Sequence, residues 1–373
     1  MKKIITISVL ITLAVSCKKD KKDPDPVVET PPVTTAYTVP TSYTFSNTNF
    51  TEAAQRIAML GEITNYIRAT HTTTAPTQPT ISAQKLKDMY SNAASQFTDA
   101  ALNTSGVQLK DKTSNMFLYP AELEGYFDDC QPASITAAAN PTTTTASSGT
   151  KGKLISPARA ILVNGNGFEY KELAEKGVMG TVFYSQAMTI MNNIASYDNS
   201  TVTNNATAQE KAWDDVFGYF GVPASFPTST VGLKFWGSYC NSVNVAIGSN
   251  SLIMNAFLKG RAAISNKDNT ARDEAKNVII ANWEKVAAAK CISYLKGAKN
   301  NLTDQATLHH NLSEGYGFVV SFKYNPSKTI SDVDISTLLG YFGTNLFNLS
   351  PANLDLAISK LESVFNLNAA LIP

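Results

Sequence analysis

The side chains able to do chemistry lie in two places. The stretch Ala212-Trp213-Asp214-Asp215-Val216-Phe217-Gly218-Tyr219-Phe220-Gly221 sets two adjacent carboxylates among aromatic rings. Neighbours on a helix point about 100° apart, so Asp214 and Asp215 cannot grip one ion from the same face. With Trp213 and Tyr219 they make a candidate wall for a small ligand, although aspartates flanked by aromatics are more often the solvated edge of a helix. The second place is His310 and Glu314, four residues apart and hence on one helical face, a spacing that suits part of a metal site or a histidine-carboxylate hydrogen bond. A complete site needs ligands from elsewhere in the fold. Asp215 is the candidate, which makes Asp215, His310 and Glu314 the expected metal set for a divalent or iron ion. The competing account is an ordinary helix-stabilising pair next to a packed His309. Asp332-x-Asp334-x-Ser336 opens like a calcium loop but lacks the glycine and glutamate that complete one.

Absences narrow the chemistry further. The only histidines are His71, His309 and His310, so there is no HExxH pair and no haem-attachment motif. A phosphate-binding Walker loop, a dinucleotide GxGxxG and a G-x-S-x-G elbow are also missing. The net charge of +1, with 16% charged residues, offers no basic footprint and argues against a nucleic-acid partner.

The elements that must position these residues read as helices almost throughout. Ile57, Leu60, Ile63 and Ile67 share one face of a first helix, and Ser82 caps a second that carries Leu86 and Met89. A short helix fits 121–129, and one long periodic stretch runs from Phe168 to about Ala195. Thr207 and Glu210 form a capping box ahead of the Trp213 helix, which Gly221 and Pro223 stop. Further helical periods cover 241–259, 270–297, 303–322 and 331–339. Ser350-Pro351 opens a last helix that buries Leu354, Ile358, Leu361 and Phe365. No alternating runs joined by a tight turn appear, so the fold class is all-α. About 330 residues after the N-terminal region allow two domains, divided as a first helical bundle over 41–205 and a second over 206–373. Within the first, the small polar residues of 131–152 suggest a disordered surface loop.

The N-terminus has the form of a signal peptide over 1–16, with Lys2-Lys3 ahead of an apolar run too short to span a bilayer. Cys17 follows small residues as in a bacterial lipobox, which makes it the expected lipidation site. Residues 17–40 carry charge and then Pro and Thr with little to bury, and so form a flexible tether. An outer-membrane lipoprotein facing the periplasm or the cell surface is the expectation. Of the remaining cysteines, Cys240 with Cys291 is the candidate disulfide, weighed against three small buried thiols.

Five segments together carry a family resemblance: Val39 to Phe45, Glu175 to Gln186, the Trp213 stretch, His309 to Phe318, and Gly340 to Ser350. With these the chain resembles the Bacteroidetes lipoproteins grouped as domain of unknown function 4856, similar to the imelysin-like clan. The resemblance implies two helical bundles packed side by side with a site at their junction. It implies binding of a small ligand or metal, within iron acquisition and beside an outer-membrane uptake partner, or alternatively a metallopeptidase or a purely structural lipoprotein. The clan's hallmark is a G-x-H-x-x-E helix motif, and the related group reads H-W-D-E where this chain has Ala212-Trp213-Asp214-Asp215. Alanine supplies no ligand at the histidine position, so a binding protein is expected ahead of an enzyme.

Overall fold

The computed structural model describes residues 37–72 and 78–373; the expected signal peptide, Cys17 and most of the tether lie outside them. Residues 37–373 belong to one compact unit. It is all-α, built from α1 (Thr51–Arg68), α2 (Ala83–Tyr90), α3 (Ala100–Asn103), α4 (Pro120–Ala139), α5 (Tyr170–Val178), α6 (Ser185–Asn192), α7 (Ala208–Phe220), α8 (Phe235–Ile247), α9 (Ser249–Ser265), α10 (Asn269–Lys299), α11 (Gln305–Ser321), α12 (Asp332–Phe342) and α13 (Pro351–Phe365). Two antiparallel hairpins are inserted, β1 (Gly152–Ile155) with β2 (Ala160–Val163), and β3 (Val202–Thr203) with β4 (Ala206–Thr207). No helix among the described residues is long and apolar enough to cross a membrane.

Local chemistry sets several boundaries where the sequence places them. Thr207 Oγ1 accepts from the Glu210 amide at 3.2 Å and the Glu210 carboxylate accepts from the Thr207 amide at 2.9 Å, which starts α7. The two Gly-Tyr-Phe-Gly copies are both helix ends: Gly221 closes α7 at φ 78° and Gly343 closes α12 at φ 68°. The expected division near residue 205 falls in the β3–β4 hairpin, and helices from its two sides touch, α1 against α7 and α5 against α11.

Two expectations need correction. The segment 131–152 is not a disordered loop. Residues 131–139 extend α4 through Pro132, and the turn after them is bonded to the first hairpin, with the Thr145 amide donating to the Lys153 carbonyl at 2.8 Å and the Gly149 amide to Gly165 at 2.8 Å. Ala133, Ser134 and Ala137 recur at helical spacing and are buried, and Ser134 Oγ and Gln131 Oε1 accept from the Ile81 and Ala83 amides, each at 2.8 Å. Small residues let α4 approach α2 closely; polarity there hides a core face. The stretch 168–195 is likewise not one α-helix. A π-helical segment, Met179–Tyr184, separates α5 from α6. Such a segment shifts the phase of the helix, so the charged side of α5 and the apolar side of α6 both turn inward.

The interior is aromatic around Trp213, Trp236 and Trp283, all fully buried. Trp283 meets Phe220 and Trp236 edge-on with ring centroids 4.7 and 5.8 Å apart, linking α7, α8 and α10. Cys130, Cys240 and Cys291 are free and buried, so the Cys240–Cys291 disulfide is not formed. Burial pushes the Cys240 thiol up to about 12, which leaves it an inert, protonated group.

Candidate functional site

The Trp213 stretch turns out to be scaffold. Asp214 has no solvent exposure and accepts from Tyr43 Oη at 2.7 Å, from the Asn49 amide at 3.0 Å and from Arg261 Nε at 2.8 Å. Arg261 is equally buried and completes its donors on Glu210, Ser265 and Asn47. Trp213 Nε1 donates to the Phe257 carbonyl at 3.0 Å, and Tyr219 is buried with its hydroxyl 3.5 Å from Arg56. Every polar atom that was a candidate to meet a ligand through Trp213, Asp214 or Tyr219 is spent on the protein itself. Asp215 is paired with Lys211 at 3.3 Å, and its neighbouring charges are Lys211, Glu52 and Asp214. It does not join His310 and Glu314, and the expected three-residue metal set is corrected accordingly.

His310 and Glu314 are joined by residues of α5. His310 Nδ1 lies 2.8 Å from Glu169 Oε2 and 3.5 Å from Glu172 Oε1, with its Nε2 4.0 Å from Glu314 Oε1. Glu172, Glu175 and Glu314 converge behind it on Lys176, whose Nζ contacts all three at 2.7–2.8 Å. Lys171 bonds Glu172 and Glu175 at 2.7 Å each. From α8, Tyr239 Oη reaches Glu175 at 3.3 Å and Glu314 at 3.4 Å. His71, just past α1, brings its Nδ1 to 3.7 Å from Glu169, while its Nε2 has no hydrogen-bond partner among the described residues.

Charge decides the protonation of this cluster. Burial alone would raise Glu172, but Lys176 and Lys171 hold its carboxyl well below the usual range. Burial lifts Glu314 to about 7, and the nearby Glu172 adds to the rise. Desolvation would lower His310, yet Glu169 and Glu172 outweigh it and the imidazole is raised. His71 goes down because burial prevails over the same carboxylates. Lys176 thus neutralises the inner side of the cluster, while Lys171 holds the Glu172 oxygen nearer His310, and Glu169 and the two histidines have no ammonium partner among the described residues.

Glu169, Glu172 and His310 face an open pocket of about 480 Å³, whose rim carries Arg68, His71 and Arg159. A ligand atom from each of the three lies within 4.8 Å of the others, a separation that one metal ion can bridge. A second such group, Glu172, Glu175 and Glu314, is already filled by ammonium groups. Metal at the first group would displace the proton that His310 Nδ1 shares with Glu169 and the single Lys171 ammonium from Glu172 Oε1. His309, by contrast, is packed: fully buried, its Nδ1 lies 2.8 Å from the Gly167 carbonyl.

The partners that sequence reasoning missed are Glu169, Glu172, Glu175 and His71. One signal was present, the three-residue repeat Glu169, Glu172, Glu175 interleaved with Lys171 and Lys176, which puts three acids near one helical face.

No curated protein and no solved structure matches the chain. One family model does, over residues 40–337, which include α1 to α11, the whole histidine-carboxylate cluster and the first half of α12. The chain therefore belongs to the family described as Domain of unknown function (DUF4856).

Proposed function

We propose that this protein is an envelope lipoprotein, anchored through Cys17, that holds a divalent or iron ion, free or within a small ligand, in the pocket between α5 and α11. One observation carries the proposal: buried Glu169 and Glu172 with His310 offer three donors within 4.8 Å of one another beside an open pocket. Carboxylate oxygens with imidazole nitrogen suit iron, zinc and manganese better than calcium, which takes oxygen alone. The lipobox and the clan resemblance support a place in metal acquisition next to an outer-membrane uptake partner. The peptidase alternative draws no support from α7, because its Asp214 is locked on Arg261 and Ala212 stands where the motif needs a histidine.

Calorimetric titration of the purified protein with ferrous, ferric, zinc, manganese and calcium ions tests this. One ion per chain is expected, with at least tenfold weaker binding in Glu172→Gln and in His310→Ala. Silence across all five ions would sink the proposal, as would binding that His310→Ala leaves unchanged.

A further inference from the structure

A second cavity opens on the other side of Glu172 and Lys176, and nothing in the metal proposal uses it. It encloses about 180 Å³ between α4, α5 and α11. Gly177 and Gly317 line it at points of close packing, where a Cβ would press on Leu118 and Leu123 or on Lys176. Gly317 has no alternative, since a Cβ would overlap Lys176 Cβ. The walls are Phe117, Tyr126, Tyr316 and Tyr324, with Leu173 and Val320 between them. Phe117 stands edge-on to Tyr324 with ring centroids 5.7 Å apart.

Size and lining select the ligand. An apolar cavity of about 150 Å³ takes benzene, so this one has room for a single aromatic ring and not for a fused pair. Aromatic walls favour such a ring in edge-on or offset contact. Tyr324, 2% exposed, closes the inner wall, its hydroxyl buried beside Thr181 Oγ1 and the Leu118 carbonyl.

Exposed Glu122 and half-buried Lys323 line the same cavity. The Lys323 ammonium sits 4.9 Å over the Phe117 ring, and no carboxylate pairs with it among the described residues. Glu122 accepts one bond, from the Tyr119 amide at 2.7 Å, which leaves most of its acceptor capacity free. The other charged pair, Glu172 and Lys176, is neutralised internally. The loop ahead of α4 exposes Met116, Phe117 and Tyr119 next to the opening, an apolar rim that a soluble protein has little reason to keep.

We propose that this cavity binds a free aromatic amino acid with one ring, its side chain between Tyr316 and Tyr324, its carboxylate on Lys323 and its ammonium on Glu122. The metal pocket lies on the other side of Glu172, which lines both.

Calorimetry of the purified protein with L-phenylalanine and L-tyrosine is the experiment, alongside 3-phenylpropionate, phenethylamine and L-leucine. Both aromatic amino acids should bind one per chain. The three analogues, which lack the amine, the carboxylate and the ring respectively, should each bind at least fivefold more weakly. Lys323→Ala and Glu122→Gln should each cost about fivefold, glutamine being able to keep the helix cap. Val320→Trp should abolish binding by filling the cavity, with far-UV circular dichroism confirming that the variant folds. Zinc or iron titration should be unchanged in Lys323→Ala, so failure here and failure of the metal site are told apart. The proposal is overturned if neither amino acid binds, if leucine or either half-ligand binds as well as phenylalanine, or if Lys323→Ala and a folded Val320→Trp bind like the parent. Capture of aromatic-ended peptides without the free amino acids would overturn it too.

Discussion

Glu314 is the acid whose charge the fold supports least. It faces Glu172, Glu175 and Lys176 on α5, His310 on its own helix, and Tyr239 and Lys290 from α8 and α10. Its carboxyl titrates at about 7 in the fold against 4.5 when free, so between those values the native state holds a proton that the unfolded chain has lost. Stability falls with rising pH across that window. His310 adds to the fall: its raised value gives stability that is complete below about 6.5 and is lost as pH climbs through the folded value. Glu172 does not change in this range, because its depressed value makes its contribution complete above the unfolded value of 4.5. His71 and His309, both lowered by burial, work the other way across the same range, so the difference is the test: from pH 5 to pH 8 the parent's melting temperature should fall by about 2–4 °C relative to that of Glu314→Gln. Thermal melts followed by circular dichroism at four pH values decide it; identical slopes for parent and variant would place the titration elsewhere. Asp214 shows the opposite use of a buried acid. Its two hydrogen bonds and its ion pair fix α7 to α9 and to the segment before α1, and removing one partner of such a pair typically costs about 3–5 kcal/mol.

At the scale of elements, the cluster depends on how closely α5 and α11 approach. Gly317 permits that approach, since any Cβ there would meet the Lys176 stem. Gly317→Ala should cost about 1–3 kcal/mol and should also weaken metal binding, because His310 rides on α11 while Glu172 lies in the first turn of α5 and Glu169 just before it. Denaturant melts read the first effect and titration the second; a stable variant with parent affinity would show that helix spacing does not set the site. The same helices mark where the sequence stops being legible. The boundaries of α7 and α13 could be read because caps and prolines act within a few residues. The π-helical segment could not, since its apolar residues fit an ordinary helical period equally well. The acids of α5 were passed over because carboxylates are mostly solvated, and only the third dimension shows Lys171 and Lys176 folding inward to meet them. Asp215 failed as a ligand for the same reason in reverse: spacing puts it on the same helix as Trp213, but which neighbours α7 meets is set by tertiary packing.

At the scale of the molecule, the all-α class and the family were readable from helical periods and five local segments. The arrangement was less so. Residues 41–205 and 206–373 are not walled off from each other, because α7 packs on α1 and α6 from one side of the chain and on α8 and α9 from the other. The anchoring proposal belongs to this scale as well. Cys17→Ser should move the protein from the membrane fraction to the soluble fraction on cell fractionation; retention in the membrane would remove the lipid from the account. The buried entry point of the chain has a mechanical consequence. Six residues into the described body, Tyr43 stacks on Phe217 at 3.7 Å and donates to Asp214, while Asn49 donates to the same carboxylate. A pull applied from the N-terminal side meets this clamp before it reaches any helix, and is passed through Asp214 and Arg261 into α7 and α9, so the load is shared between two helices before either begins to unwind.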